Sequence, residues 1–233
     1  MTDVFSTLLD PFSAQFLTYD LEFVDDGRTI DLVSAGFKSG DGRTLYVINR
    51  EMDQKKILAH DWMRNNVWPH LPLKDLPEVR GELGQYPVKK CRCASAVEGK
   101  KYEWTCSCMN GKLDMDHPDV RPMGQIRRMV SDFIMACHPK GLTGEVNHRD
   151  DVKMWAWYGA YDHVRLAQCW GPMIDLPPHV PMLTHDLKSE AMRLGNPKMP
   201  AQKGKEHNAL ADAEGNHLKA KFLWGLATDN PYE

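Results

Sequence analysis

The sequence has no long run of apolar residues. No stretch approaches the roughly 20 consecutive apolar residues that a membrane-spanning helix needs, and the opening MTDVFSTLLDPFSAQ lacks the basic and then apolar order of a secretory signal. The sequence therefore predicts a cytoplasmic protein with no membrane partner.

An excess of positive charge is also missing. The 233 residues contain 29 Lys and Arg against 32 Asp and Glu, which gives a formal net charge of -3 at pH 7. Proteins that coat nucleic acid usually carry a net positive field, whereas an enzyme that holds only the end of a strand can rely on a few local cations. Charge by itself therefore leaves both classes open.

Internal repeats and low-complexity tracts are absent, which excludes a repeat architecture. With 42% hydrophobic and 26% charged residues, the chain has an ordinary globular composition. It can bury one sizeable core, alone or with a small appended module.

Strand and helix patterns follow one another along the chain. Four segments rich in β-forming residues predict three strands of an antiparallel meander and one buried strand; they are QFLTYDLEFV (15–24), IDLVSAGF (30–37), TLYVINR (44–50) and VKMWAWYG (152–159). Apolar residues at helical spacing predict five helices; they cover 53–68, 126–137, 161–170, 184–194 with Thr184 as its cap, and 208–224.

The first predicted strand carries two carboxylates. Side chains two apart in a strand share a face, so Asp20 and Glu22 point together while Leu21 and Phe23 point away. This pair could form half of a site for a hard cation, or it could be an ordinary solvated strand face.

A third carboxylate follows the most apolar strand. Asp162 lies where open α/β sheets place their sites, at the end of a buried strand. The alternative is that Asp162 simply caps the helix that begins there.

The last predicted helix opens with a histidine and an aspartate in the sequence HNALADA. His207 precedes the helix, and Asp212 lies inside it. The small residues Ala209, Ala211 and Ala213 would let the helix approach the sheet closely enough for Asp212 to join the other carboxylates. Taken alone, the two residues could instead be an exposed histidine and an exposed aspartate.

The order D-x-E, then Asp, then H-x4-D resembles that of the DEDDh exonucleases of the ribonuclease-H-like superfamily. More narrowly, YDLEFVDDGRTIDLVSAG, WAWYGAYDHVRLAQCWGPM and HNALADA resemble the actinobacterial ribonuclease AS exoribonucleases, which are described as acting on adenylate-rich RNA. The resemblance covers roughly 17–80 and 121–224. It implies an α/β fold, with a ribonuclease-H-like mixed five-stranded sheet flanked by helices, and a homodimer.

The resemblance also implies a mechanism. Two Mg²⁺ or Mn²⁺ ions about 3.5–4 Å apart would clamp the attacking and leaving oxygens at phosphorus. Asp20, Glu22 and Asp212 would hold one ion, Asp20 would bridge to the second, and Asp162 would contribute partly through water. His207 would take the proton from the attacking water.

Substrate contacts are expected beside these residues. In related enzymes the residue after the D-x-E glutamate packs against terminal bases, which points to Phe23, with Leu21 beside it. This requires the strand to end or bend there; otherwise Phe23 belongs to the core. Lys203 and Lys205 are candidates for phosphate contacts. Trp155 and Trp157 are assigned to core packing.

A cysteine-bearing segment departs from the family pattern. KKCRCASAVEGKKYEWTCSCM (89–109) predicts a β-hairpin in which Cys91, Cys93, Cys106 and Cys108 share one face. These thiols could bind Zn²⁺, form a cross-strand disulfide or be buried as small apolar groups. The lysines and arginine of the hairpin could guide an RNA strand.

We therefore expect a single exonuclease domain over 1–233, with an N-terminal extension at 1–14 and an inserted hairpin module at about 82–120. The expected activity is stepwise release of nucleoside 5′-monophosphates from the 3′ end of single-stranded RNA. The alternatives are a DNA exonuclease on the same scaffold, because none of these motifs reads the 2′-hydroxyl, and a non-catalytic nucleic-acid-binding module.

Overall fold

The computed structural model describes residues 10–74, 111–139, 148–202, 204 and 206–228. Two compact units can be distinguished, one formed by Met1–Met52 with Pro118–Glu233 and the other by Asp53–His117. Within the described residues, no helix has the length and apolar character needed to cross a membrane.

The first unit contains a mixed six-stranded sheet in the order β6-β3-β2-β1-β7-β8. Its strands are β1 (Phe16–Asp25), β2 (Ile30–Ser39), β3 (Thr44–Asn49), β6 (Val120–Arg121), β7 (Lys153–Ala156) and β8 (His185–Asp186). The predicted meander is confirmed, since β1, β2 and β3 pair antiparallel. The aromatic strand β7 joins β1 in parallel.

The prediction of five strands was wrong. Within the part of the chain that the structure describes, the sheet has six strands, because β6 and β8 form its two edges with two residues each. A two-residue strand is too short to show an alternating pattern, so only its pairing partner reveals it.

The helices flank the sheet or belong to the second unit. They are α1 (Gln54–Ala59), α2 (Asp61–Asn66), α3 (Met123–Cys137), α4 (Ala160–Ala167), α5 (Leu187–Arg193) and α6 (Ala209–Thr228). The single helix predicted for 53–68 is two helices, because His60 adopts an extended conformation between them and its side chain caps α2. The cap of α5 is Asp186, whose side chain accepts a hydrogen bond from the Ser189 amide, and not Thr184.

The second unit also contains β4 (Leu73–Lys74) and β5 (Lys112–Leu113), which pair antiparallel. The cysteine hairpin predicted within this unit, with Cys91, Cys93, Cys106 and Cys108, lies outside the described residues.

Alternation along β1 separates two hydrophobic clusters. Leu17, Tyr19 and Leu21 belong to a cluster that includes the buried face of α3, whereas Phe16 packs with Trp155 and residues of α5 and α6. Because successive side chains of a strand point to opposite faces, the even-numbered residues of β1 turn towards the α6 side. Asp20 and Glu22 are therefore directed at α6.

Small residues bring α6 very close to the sheet. Ala209 and Ala213 are fully buried, and the Thr18 hydroxyl donates a hydrogen bond to the Ala213 carbonyl over 2.9 Å. A Cβ atom at Gly36 would lie only 2.2 Å from the Ala209 carbonyl oxygen. The close approach expected from the alanines of HNALADA is thus observed.

Candidate active site

The two carboxylates of β1 lie at the centre of the sheet. Asp20 pairs with Gly36 and Glu22 with Ser34 in the register with β2. Glu22 is buried and Asp20 half-buried. The alternative considered for Asp20 and Glu22, an ordinary solvated strand face, is therefore wrong.

A register irregularity between Glu22 and Phe23 interrupts the β1–β2 pairing. Such a bulge re-aims the side chains that follow it. Phe23 accordingly borders the same pocket as Asp20 and Glu22 while also packing against the core, and its ring stacks on Tyr161 at 6.4 Å between centroids. A substrate contact by Phe23 requires β1 to bend at this position, and the bulge provides that bend.

Asp162 is tied directly to β1. It lies in the first turn of α4 and is buried, and its Oδ1 accepts a hydrogen bond from the Leu21 amide over 2.8 Å. The N-cap position of α4 belongs to Gly159, so the capping role considered for Asp162 was wrong. The bond instead fixes the third carboxylate against the strand that carries the first two.

His207 and Asp212 enter the pocket from the start of α6. His207 has a φ of 64°, a left-handed conformation that is uncommon for a residue with a side chain. Ligand atoms of Glu22, His207 and Asp212 all lie within 4.8 Å of one another. The Gln202 amide donates a 2.6 Å hydrogen bond to Asp212 Oδ1, which orients this carboxylate.

The five residues border one open cavity of about 330 Å³. Its lining comprises Asp20, Leu21, Glu22, Phe23, Trp157, Asp162, Gln202, Glu206, His207, Asp212, Asn216 and Lys219. Leu21, the other expected substrate residue, thus also borders the cavity, although its side chain is buried. Lys203 and Lys205 lie outside the described residues.

The carboxylates share an environment that disfavours several negative charges. Burial raises the pKa of Glu22 to about 8, and Asp212 and Asp162 add to the effect. Burial also raises the pKa of Asp162 to about 6. The pKa of Asp20 is raised well above its usual value by burial and then by Asp162, Glu22 and Asp212. Such a cluster needs protons or a cation, and oxygen ligands with an imidazole nearby suit a hard divalent ion.

Sequence reasoning missed five residues of the cavity: Trp157, Gln202, Glu206, Asn216 and Lys219. Trp155 is buried as predicted. Trp157 packs against the same core cluster, as predicted, but it is only half-buried and also borders the cavity. Asn216 and Lys219 follow Asp212 at helical spacing, which could have placed them on the same face of α6. No sequence signal marks Gln202.

A mixed α/β fold in which buried carboxylates and a histidine converge on one cavity is typical of an enzyme site. The sequence model of the family described as the 3′-5′ exoribonuclease Rv2179c-like domain matches residues 15–224. The chain belongs to this family of exoribonucleases.

Two curated relatives agree with this assignment. They are the 3′-5′ exoribonuclease MT2234.1 of Mycobacterium tuberculosis strain CDC 1551 / Oshkosh and the 3′-5′ exoribonuclease Rv2179c of strain ATCC 25618 / H37Rv. Each is 33% identical to this chain over 205 residues, which cover 88% of this chain and 90% of the relative.

Proposed function

We propose that this protein is a metal-dependent 3′-5′ exoribonuclease that releases nucleoside 5′-monophosphates one at a time from single-stranded RNA. One observation supports it above all. Three separate segments of the chain bring carboxylates and a histidine to a single cavity, and the chain belongs to an exoribonuclease family. The residues are Asp20, Glu22, Asp162, His207 and Asp212.

The carboxylates of Asp20, Glu22, Asp162 and Asp212 would hold two Mg²⁺ or Mn²⁺ ions. Bound ions of this kind supply positive charge to both the attacking and the leaving oxygen of a displacement at phosphorus. The fit rests on the donor set, which consists of hard oxygens, and on burial, which makes unscreened carboxylates costly without a cation.

His207 is the proposed general base. Ligand atoms of His207, Glu22 and Asp212 lie within 4.8 Å of one another, and His207 borders the cavity. A neutral imidazole has one ring nitrogen that accepts a proton, so His207 can take the proton of the attacking water. The left-handed backbone of His207 directs its side chain from the loop before α6 into the cavity.

Phe23 is the proposed contact for the terminal base. Its ring borders the cavity on the side where Tyr161 supports it, and an aromatic face can stack on any base. Leu21 also borders the cavity, but its side chain is buried on the other face of β1, so it would contact substrate through main-chain atoms. Lys203 and Lys205 would contact phosphates. A preference for adenylate-rich RNA follows from the family resemblance.

The decisive experiment is a time course on 5′-labelled oligo-A RNA and on DNA of the same sequence, with Mg²⁺, Mn²⁺ or EDTA. The wild type should shorten RNA stepwise from the 3′ end only with a divalent ion, and Asp20→Ala should be inactive. The matched control is Asp132→Asn, which changes an exposed carboxylate of α3 and should behave as wild type.

Other outcomes separate the alternatives. Faster shortening of DNA would favour a DNA exonuclease on this scaffold. Binding of RNA without cleavage by any metal-loaded sample, and unchanged by Asp20→Ala, would sink the proposal in favour of a non-catalytic binding module.

A further inference from the structure

A lysine stands among the carboxylates of the cavity. Lys219 follows Asp212 by seven residues on α6, which is about two turns of helix and therefore the same face. It is half-buried and borders the cavity. None of the proposed steps assigned so far uses it.

The ammonium group of Lys219 is held in place by two neighbours. Its Nζ donates a hydrogen bond to Asn216 Oδ1 over 3.1 Å and lies 4.8 Å from the centroid of the Trp157 ring. The Asn216 side-chain amide in turn donates to the Tyr19 carbonyl of β1 over 3.2 Å. The lysine is thus positioned from the strand that carries Asp20 and Glu22.

Hydrogen-bonding capacity remains on this ammonium. Among the described residues, Asn216 is the hydrogen-bond acceptor that Lys219 contacts, and an ammonium carries three donors. Burial lowers the pKa of Lys219, whereas Asp20, Asp212 and Glu206 favour its charged form. The ammonium thus lies at the cavity wall with donors that a ligand in the cavity can use.

The charge balance of the reaction indicates what this cation could do. The four carboxylates proposed to hold metal balance two divalent ions, and Glu206 adds a fifth carboxylate to the lining. The phosphodiester, and the additional charge that develops on its oxygens in the transition state, therefore need another source of positive charge. Among the described residues that line the cavity, Lys219 is the only lysine or arginine.

We propose that Lys219 binds a non-bridging oxygen of the scissile phosphate and stabilises the charge that develops there during hydrolysis. The ligand class is a phosphodiester or phosphomonoester at the 3′-terminal nucleotide. The inference rests on the proposed exoribonuclease function and adds a residue that touches its substrate. The competing role is that of a built-in counter-charge, in which Lys219 only offsets the carboxylates before metal binds.

The test compares Lys219→Met and Lys219→Arg with the wild type in kcat and KM on oligo-A RNA at saturating Mg²⁺. Loss of a phosphate contact should lower kcat by about 100-fold in Lys219→Met, and Lys219→Arg should recover most of it because a guanidinium also binds phosphate. The control is Lys188→Met, which removes a second lysine that lies over Trp157, 5.7 Å from its ring centroid, but does not border the cavity.

Two binding measurements separate the roles. Titration calorimetry with Mg²⁺ should show unchanged or tighter metal binding in Lys219→Met, since a repelling charge is gone. With Mg²⁺ present, 5′-AMP should bind at least about 5-fold more weakly to this variant while adenosine binds equally, because only the former carries the phosphate.

The outcomes are distinguishable from failure of the proposed function. If the wild type does not cleave RNA, the exoribonuclease proposal fails first. If the wild type cleaves and Lys219→Met matches its kcat at saturating Mg²⁺, with tighter metal binding as the main change, Lys219 is a counter-charge and the inference is overturned. Loss of activity in both variants with unchanged 5′-AMP binding would also overturn it.

Discussion

At the scale of single residues, the site is dominated by carboxylates whose charged form is disfavoured by burial and by mutual repulsion. Raised pKa values mean that the folded protein binds protons more tightly than the unfolded chain. For Glu22 the interval runs from the ordinary 4.5 to about 8, and for Asp162 from 3.8 to about 6. The stability contributed by these groups is therefore present at low pH and lost as pH rises through the folded values.

The direction of this change in stability with pH predicts how metal binding depends on pH. Four histidines have pKa values lowered from 6.5 by burial, so they oppose this trend only below about pH 6.5. In EDTA, the melting temperature should therefore fall between about pH 6.5 and pH 8. Mg²⁺ should raise it more at pH 8 than at pH 6.5, because protons no longer compete for the carboxylates. Thermal unfolding at both pH values, with and without Mg²⁺, measures the effect. In Glu22→Gln the pH dependence in EDTA should be smaller; an unchanged dependence would contradict the burial argument.

The proposed base gives a second prediction at this scale. His207→Asn should lower kcat by about 10² to 10⁴, because asparagine cannot accept a proton, while Mg²⁺ affinity changes little. The pH profile should also lose the limb assigned to the base. A variant that keeps the wild-type profile with a uniformly lower rate would show that His207 positions other groups and does not transfer the proton.

Phe23 provides a third test. Phe23→Ala should raise KM for RNA by about 10-fold, since stacking on a base contributes about 1–3 kcal/mol, and Phe23→Leu should behave similarly because it restores apolar volume without an aromatic face. Steady-state kinetics on oligo-A RNA measure this. Full activity of Phe23→Leu would mean that the residue serves packing against Tyr161 and the core.

At the scale of secondary-structure elements, the distance between α6 and the sheet decides whether the site can form. His207 and Asp212 reach the β1 carboxylates because Gly36 leaves room for the backbone of α6. The contacts of Thr18 with Ala213 and of Asn216 with Tyr19 then fix the helix on the strand.

Gly36→Ala should therefore push the start of α6 away from β2. We expect a loss of about 1–3 kcal/mol in the free energy of unfolding from overpacking, together with a fall in activity larger than the loss of folded protein explains. Gly124→Ala is the control, because a Cβ there has no atom within 4 Å and alanine favours a helix. Denaturant unfolding and RNA cleavage of both variants test this; a fully active Gly36→Ala would contradict it.

At the scale of the whole molecule, the proposed catalytic residues all lie in the unit formed by Met1–Met52 and Pro118–Glu233. The cysteine hairpin belongs to the sequence of the other unit. If the hairpin guides RNA, then its role is separable from chemistry, and the two can be measured with substrates of different length.

Reversing the charge of Lys100 and Lys101 to glutamate should weaken binding of a long RNA by about 10-fold at low salt and reduce its salt dependence, while cleavage of a dinucleotide stays unchanged. Lys55→Glu is the control, since it reverses an exposed charge on α1. Equal binding of long RNA by all three proteins would remove the hairpin from substrate recognition. Metal analysis of the same samples would show whether the four cysteines hold zinc.

The sequence by itself determined the features that depend on neighbours along the chain. Alternation in β1 placed Asp20 and Glu22 on one face of the strand. Helical spacing identified α3 and α6, and the apolar run at 152–159 identified the strand β7. The α/β class followed from the same local patterns, because the periodicities of strands and helices are visible in consecutive residues. The family resemblance rested on the order of the D-x-E, Asp and H-x4-D motifs along the chain.

Only the tertiary structure determined the features that depend on contacts between distant segments of the chain. Several features arise between residues that are far apart in sequence. They are the two-residue edge strands, the bulge that re-aims Phe23, the hydrogen bond from Leu21 to Asp162, and the presence of Trp157, Gln202 and Lys219 around one cavity. Such contacts form because the packing of the core brings those segments together. A single sequence does not give the distance between two segments in the folded protein.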